Sequence, residues 1–157
     1  MLKAKDIMTR DVITVQEDTT VEALGRLFIE KRISGAPVLD KNGNLSGIVT
    51  ENDLVRKNTR LHIPTVLRIF DAIIPLGSAD RVEDEIRKIS ASTVGEICTR
   101  SVLTVSPEAS IQDVSSIMFE KGSHVIPVLD AGKIVGIIGK IDIIRGMFGE
   151  TAQQKPG

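Results

Sequence analysis

Tryptophan and tyrosine are absent from this 157-residue chain, and phenylalanine occurs only four times. A platform that stacks successive nucleobases on aromatic rings, the usual device of single-strand nucleic-acid binders, has little to be built from. Neither sign of charge dominates: 20 basic against 21 acidic residues leave a formal net charge of −1, which argues against a polyanionic partner and against nucleic acid. One cysteine, Cys98, excludes an intrachain disulfide and a cysteine-cluster zinc site. A cytoplasmic location fits that usage. With two histidines, His62 and His124, and no acidic cluster at ligand spacing, no metal site is expected. No apolar run approaches the ~20 residues of a membrane helix, and Met1-Leu2-Lys3-Ala4-Lys5-Asp6 lacks a signal-peptide core, so no membrane partner is expected.

What the chain does have is a duplication. Ile7-Met8-Thr9-Arg10-Asp11-Val12-Ile13-Thr14-Val15 returns as Ile97-Cys98-Thr99-Arg100-Ser101-Val102-Leu103-Thr104-Val105, and Pro37-Val38-Leu39-Asp40 returns as Pro127-Val128-Leu129-Asp130, both at an offset of 90. After a shortened turn the offset is 89: Gly47-Ile48 meets Gly136-Ile137, Asp53 meets Asp142 and Arg56 meets Arg145. Two copies are too few for a solenoid, which needs about three stacked units. Units of roughly 50 residues are also too small to be comfortable alone. Two related units packed face to face, with a shared core and two related clefts at their interface, satisfy both constraints.

Each copy reads strand, helix, strand, strand, helix. Val12–Val15 is a short β-branched run and is predicted as a strand. Val21, Leu24, Leu27 and Phe28 share a helical face, opened by a capping-box pattern at Thr19 and Glu22; Ile111, Val114, Ile117 and Met118 form the equivalent stripe, opened by Ser110. Two strands follow, joined in the first copy by Lys41-Asn42-Gly43-Asn44 and in the second by Ala131-Gly132-Lys133. Short helices then start near Asn52 and Ile141. The expected division is 1–60 for the first unit, 61–93 for a helical linker, 94–150 for the second unit and 151–157 for a disordered tail. The linker is apolar from Ile63 to Ile74 and reads either as an elaborated connection or as a contact surface. His62, within it, is taken as a surface or packing residue.

The Ile-Met-Thr opening, the Val-x-Thr-Val run, Ser34-Gly35-Ala36-Pro37-Val38 and Gly47-Ile48-Val49-Thr50-x-x-Asp53 recur in order in both copies. This set resembles a tandem pair of CBS domains, the cystathionine β-synthase-type module, over about two thirds of the chain. The resemblance implies an α/β fold in which two β-α-β-β-α units pack as a pseudo-twofold pair, often called a Bateman module. It also implies a non-catalytic regulatory role and binding of an adenosine-containing ligand such as AMP, ADP, ATP or S-adenosylmethionine in the clefts. Such pairs commonly dimerise, so a homodimer and a separate, unknown effector protein are the expected partners.

The residues make chemical sense of that implication. The strand ending at Val49 runs straight into a helix N-terminus, whose free N–H groups and dipole favour an anion. Thr50 can donate to a phosphate, Asp53 can accept from ribose hydroxyls, and the small Ser34-Gly35-Ala36 run lets a flat base approach the backbone. Thr50-x-x-Asp53 equally fits a plain helix cap. In the family each cleft draws on both units. Carried over, one site combines Ile13, Ile33, Ser34 and Gly35 with Asp142, with Lys140 or His124 added. The other combines Leu103, Ser123, Val125 and Ile126 with Thr50 and Asp53. The chain departs from the family pattern at Gly139, where a hydroxyl is lost, and at Val125 and Ile126, which are bulkier than Gly35 and Ala36. His124 is either a phosphate contact or a polar helix-end residue. Cys98, opposite Met8 in the repeat, reads as a small packing side chain. The glycine-rich run ending at Gly139-Lys140 fails as a P-loop, since Ile134 and Ile141 occupy positions that motif reserves for Gly and Ser or Thr. No nucleophile–base pair is evident, so an enzyme is not expected. The competing reading is a ligand-independent dimerisation or protein-interaction scaffold.

Overall fold

A computed structural model of the chain describes residues 1–56 and 92–149. The apolar 63–74 stretch, the charged 79–89 stretch and the polar tail, all singled out above, lie outside the described residues. The first repeat contains α1 (Ala4–Ile7), β1 (Val15–Gln16), α2 (Val21–Lys31), β2 (Gly35–Leu39), β3 (Leu45–Thr50) and α3 (residues 51–56). The second contains α4 (Val94–Ile97), α5 (Ile111–Lys121), β4 (Val125–Asp130), β5 (Lys133–Gly139) and α6 (Lys140–Met147). The fold is the expected α/β pair. Strand β1 runs parallel to β2 and β2 is antiparallel to β3; Val105 bridges Val128 in parallel and β4 is antiparallel to β5. Both hairpins carry a register shift at the same place, Val38/Leu39 and Val128/Leu129.

Local expectations were met with two adjustments. Strand β1 is only Val15–Gln16, because β2 offers it partners at Val38 and Leu39 alone; residues 12–14 are irregular. Helix α2 is capped by Thr20, whose hydroxyl accepts from Ala23 N at 3.1 Å, whereas Thr19 Oγ1 accepts from Gln16 N in the preceding turn. Ser110 caps α5 as its sequence position suggests, accepting from Asp113 N. Leu24 and Phe28 on α2, and Ile111, Val114 and Met118 on α5, are buried. The first hairpin turn is organised by Asp40, whose Oδ1 accepts from Asn42 N and Asn44 N. The second is a two-residue turn with positive φ at both Ala131 (50°) and Gly132 (80°). Alanine carries a Cβ penalty there that asparagine largely escapes. Ala131→Asn is therefore expected to raise stability by about 0.5–1 kcal/mol, read as a higher urea midpoint at unchanged slope.

Packing crosses the repeats. Ala4, Ile7 and Met8, which open the first repeat, belong to the core of the second, with Ile126, Val128, Ile138 and Ile143. Val94, Ile97 and Cys98, which open the second, pack in the core of the first, with Leu24, Val38 and Val49. Backbone hydrogen bonds seal each crossing: Thr9 exchanges two with Ile137, and Thr99 exchanges two with Ile48. Met8 occupies the space a side chain at Gly136 would need, and Cys98 does the same over Gly47. At the surface, Lys3 and Lys5 both bind the Glu108 carboxylate and hold its pKa down at about 2. Arg100 likewise hydrogen-bonds Glu17 and lowers its pKa. Among the described residues no helix is long and apolar enough to cross a membrane.

Candidate functional site: two clefts between the repeats

Two clefts of similar size lie where the repeats meet, about 490 Å³ and 480 Å³. These volumes fall in the range that holds small-molecule ligands. In cleft A the β3–α3 junction supplies Thr50 and Asp53, and Arg56 follows one turn later; the facing wall comes from the second repeat, with Leu103, Ser123, His124 and Val125. In cleft B the β5–α6 junction supplies Gly139, Asp142 and Arg145, faced by Ile13, Ile33, Ser34 and Gly35 of the first repeat. Each acid thus stands across from residues of the other repeat.

The two acids are placed alike. Asp53 Oδ2 accepts from Thr50 N at 2.8 Å and from Thr50 Oγ1 at 3.4 Å, and Asp142 Oδ2 accepts from Gly139 N at 2.8 Å. Both are nearly buried, at 9% and 5% exposure, yet each lines a cleft. Capping and cleft lining, the two readings of Thr50-x-x-Asp53, are therefore compatible: the cap fixes the carboxylate at the mouth of the groove. Thr9 Oγ1 lies 3.5 Å from Asp142 Oδ1, and Arg145 pairs with the same oxygen at 3.6 Å. A carboxylate held this way can accept hydrogen bonds from sugar hydroxyls without having to reorganise.

Three residues are not where sequence reasoning put them. His124 lines cleft A and not the Asp142 cleft; it is flanked in the chain by Ser123 and Val125, and the whole segment faces β3. What His124 brings near Gly139 is its carbonyl oxygen. Ile126 lines neither cleft: side chains alternate along β4, and Ile126 is fully buried in the second core. Lys140, the first residue of α6, is exposed and lines neither cleft.

Sequence reasoning also missed the basic residues. Arg56 and Lys121 line cleft A, and Arg32 and Arg145 line cleft B. The Arg56/Arg145 correspondence in the repeat was the available signal. Arg32 had a second one: it ends α2 in the left-handed conformation (φ 54°), where the equivalent position in α5 is Gly122 (φ 63°). Holding a non-glycine residue there costs about 1 kcal/mol. Thr99 and Ser101 complete cleft A, and Thr9 and Asp11 complete cleft B.

Val125 lines both clefts. Its counterpart at offset 90 is Gly35, and the two meet: a Cβ on Gly35 would lie 2.8 Å from Val125 Cγ2 and 3.3 Å from Val49 O. The bulk added in one repeat fills the space vacated in the other. Cys98 is half-buried and its Sγ approaches Gly95 O at 3.7 Å; burial pushes its thiol pKa up, although Arg100 opposes this, which disfavours the nucleophilic thiolate. Among the described residues no three His, Cys, Asp or Glu side chains stand together as a metal site would need.

The CBS domain family model matches residues 4–59 and again 94–149. The chain belongs to the CBS-domain family. As a tandem CBS pair it is 29% identical over 154 residues to the uncharacterized protein MJ1426 of Methanocaldococcus jannaschii, covering 92% of this chain and 90% of that one. It also matches the CBS domain of a CBS domain-containing membrane protein from Sphaerobacter thermophilus at 34% identity and a TM-score of 0.66, covering 92% and 87%. The crystal structure of CBSX2 in complex with AMP superposes with a TM-score of 0.71 at 25% identity, covering 95% of this chain and 98% of that one. Several curated relatives are longer: the chain spans 47% of MJ0188 from M. jannaschii and 61% of the chloroplastic CBSX2 of Arabidopsis thaliana.

Proposed function

We propose that this CBS pair is a non-catalytic regulatory module that binds an adenosine-containing ligand, from the set AMP, ADP, ATP and S-adenosylmethionine, in the clefts between its two units. The observation that carries the reading is the placement of Asp53 and Asp142, each fixed by its own strand end at the mouth of a cleft walled by the other repeat. The AMP complex of CBSX2, a protein of the same fold, supports an adenosine ligand. Because every cleft uses both repeats, a ligand there favours one mutual arrangement of the halves and hands that preference to an effector protein through differential affinity.

Calorimetry with the four ligands tests this. At least one is expected to bind, and Asp53→Asn or Asp142→Asn, which keep an acceptor for the strand-end N–H, should each weaken binding in its own cleft about tenfold or more, since a hydrogen bond to a charged partner is worth about 1.5–3 kcal/mol. Folded, ligand-free protein that gives no heat with any of the four would sink the proposal. A second reading draws on the exposed apolar side chains of the helices. Ile29 and Phe119, equivalent at offset 90, are 81% and 90% exposed, and Met147 and Phe148 are exposed at the end of α6. These suit a homodimer or scaffold contact. Light scattering with and without nucleotide separates the cases: a ligand-independent dimer with unoccupied clefts favours the scaffold.

A further inference from the structure

The two clefts are alike in shape and different in charge. In cleft A, Asp53 is taken up by Thr50, while Arg56 and Lys121 have no acidic partner among the described residues, and His124 stands beside them. In cleft B, Arg145 is paired with Asp142 at 3.6 Å, and the remaining cation, Arg32, is offset by Asp11 in the same lining. Among the described residues, cleft A is lined by Arg56 and Lys121 against Asp53, one positive charge in excess, and cleft B by Arg32 and Arg145 against Asp11 and Asp142, an even balance. The walls agree with this. Cleft A has lining hydroxyls from Thr50, Thr99, Ser101 and Ser123, whereas cleft B has those of Thr9 and Ser34 beside Ile13, Ile33, Ile137 and Ile141.

We infer that the clefts are selective by ligand charge: cleft A takes the nucleotide with the longer phosphate chain, and cleft B takes an adenosine ligand carrying at most one phosphate. This rests on the adenosine reading above and adds to it which ligand goes where. A triphosphate extended past the adenosine half in cleft A meets Arg56 and Lys121, each able to contact a separate phosphate. The same chain in cleft B meets Asp11, which repels the added charge, while of the two lining cations Arg145 is already paired with Asp142. Like and unlike charges at this range discriminate even when half-exposed, because a polyphosphate concentrates its charge in one place.

The experiment is a titration of the full chain in low-salt, magnesium-free buffer with ATP, AMP and adenosine. The amide shifts of Thr50 and Gly139 report clefts A and B separately. Cleft A is expected to prefer ATP over AMP by about tenfold, the yield of two exposed charge contacts, and cleft B to show no preference or the reverse. Arg56→Ala with Lys121→Ala, both surface positions, should bring the ATP/AMP ratio in cleft A close to one while adenosine affinity stays within about twofold. Asp11→Asn should raise ATP affinity in cleft B alone, and added salt should compress the cleft A ratio. Equal ATP/AMP ratios in the two clefts, or a ratio in cleft A that survives the double substitution, would overturn the assignment and leave the adenosine reading standing. Silence of both amides with all three compounds would overturn the assignment, and silence with S-adenosylmethionine as well would remove the adenosine reading.

Discussion

Replacing Ile7 and Met8 together by alanine is expected to destabilise the second repeat, although both residues belong to the first in sequence. Their side chains are 2% and 3% exposed and sit among Val105, Val114, Ile126 and Ile138. Each truncation removes apolar surface and leaves a cavity, at about 2–5 kcal/mol apiece. The two are adjacent and share neighbours, so the combined loss falls short of the sum. Against a total stability of about 5–15 kcal/mol it still brings the protein close to unfolding. Hydrogen exchange locates the damage: amide protection should fall first in β4 and β5, with β2 and β3 less affected. Earlier loss in β2 and β3 would contradict the crossed packing.

The second large effect is expected at the contact between the repeats. Gly35→Val places a branched side chain where Val125 already stands, with the Cβ alone 2.8 Å from Val125 Cγ2. Overpacking of this kind costs about 1–3 kcal/mol and sometimes more. Here the upper end is expected, because backbone of β3 (Val49 O) closes the other side. The reciprocal exchange, Gly35→Val with Val125→Gly, hands the bulk back across the pseudo-twofold and should recover more than half of the loss. Urea melts of the two singles and the double form a closed cycle. An additive cycle, with no recovery, would mean that Gly35 is required for another reason.

The same residues show what could be read before the structure. The duplication, the apolar helix stripes, the hairpins and the membership of the family were all written in residue identities and spacing. The division of each cleft between the repeats came from the resemblance; in the structure Thr50 and Asp53 line one cleft and Ser34, Gly35 and Asp142 line the other. The crossing of the opening segments was not legible, and the reason is general. An offset of 90 is the same whether Ile7 and Ile97 enter their own core or each other's, so periodicity is blind to exchange. Ile126 was misplaced because a residue beside a cleft residue on a strand points to the opposite face. His124 was grouped with Asp142 on the strength of the resemblance, whereas its immediate neighbours, Ser123 and Val125, place it in the other cleft. The cleft arginines went unassigned because Arg56 and Arg145 fit equally well as solvent-facing helix residues; only the closing of the two halves brings them to a common groove.

The hydrogen bonds between Thr9 and Ile137 have a mechanical consequence. Both residues line cleft B, and Thr9 sits two residues beyond the end of α1. A pull on the chain ahead of Met8 is therefore delivered straight to the rim of that groove, by a peptide linkage and a pair of bonds that shear together. Anything tethered upstream would hold a lever on the compartment guarded by Asp142, while the one guarded by Asp53 has the matching linkage, Thr99 with Ile48, to the chain leading into Val94.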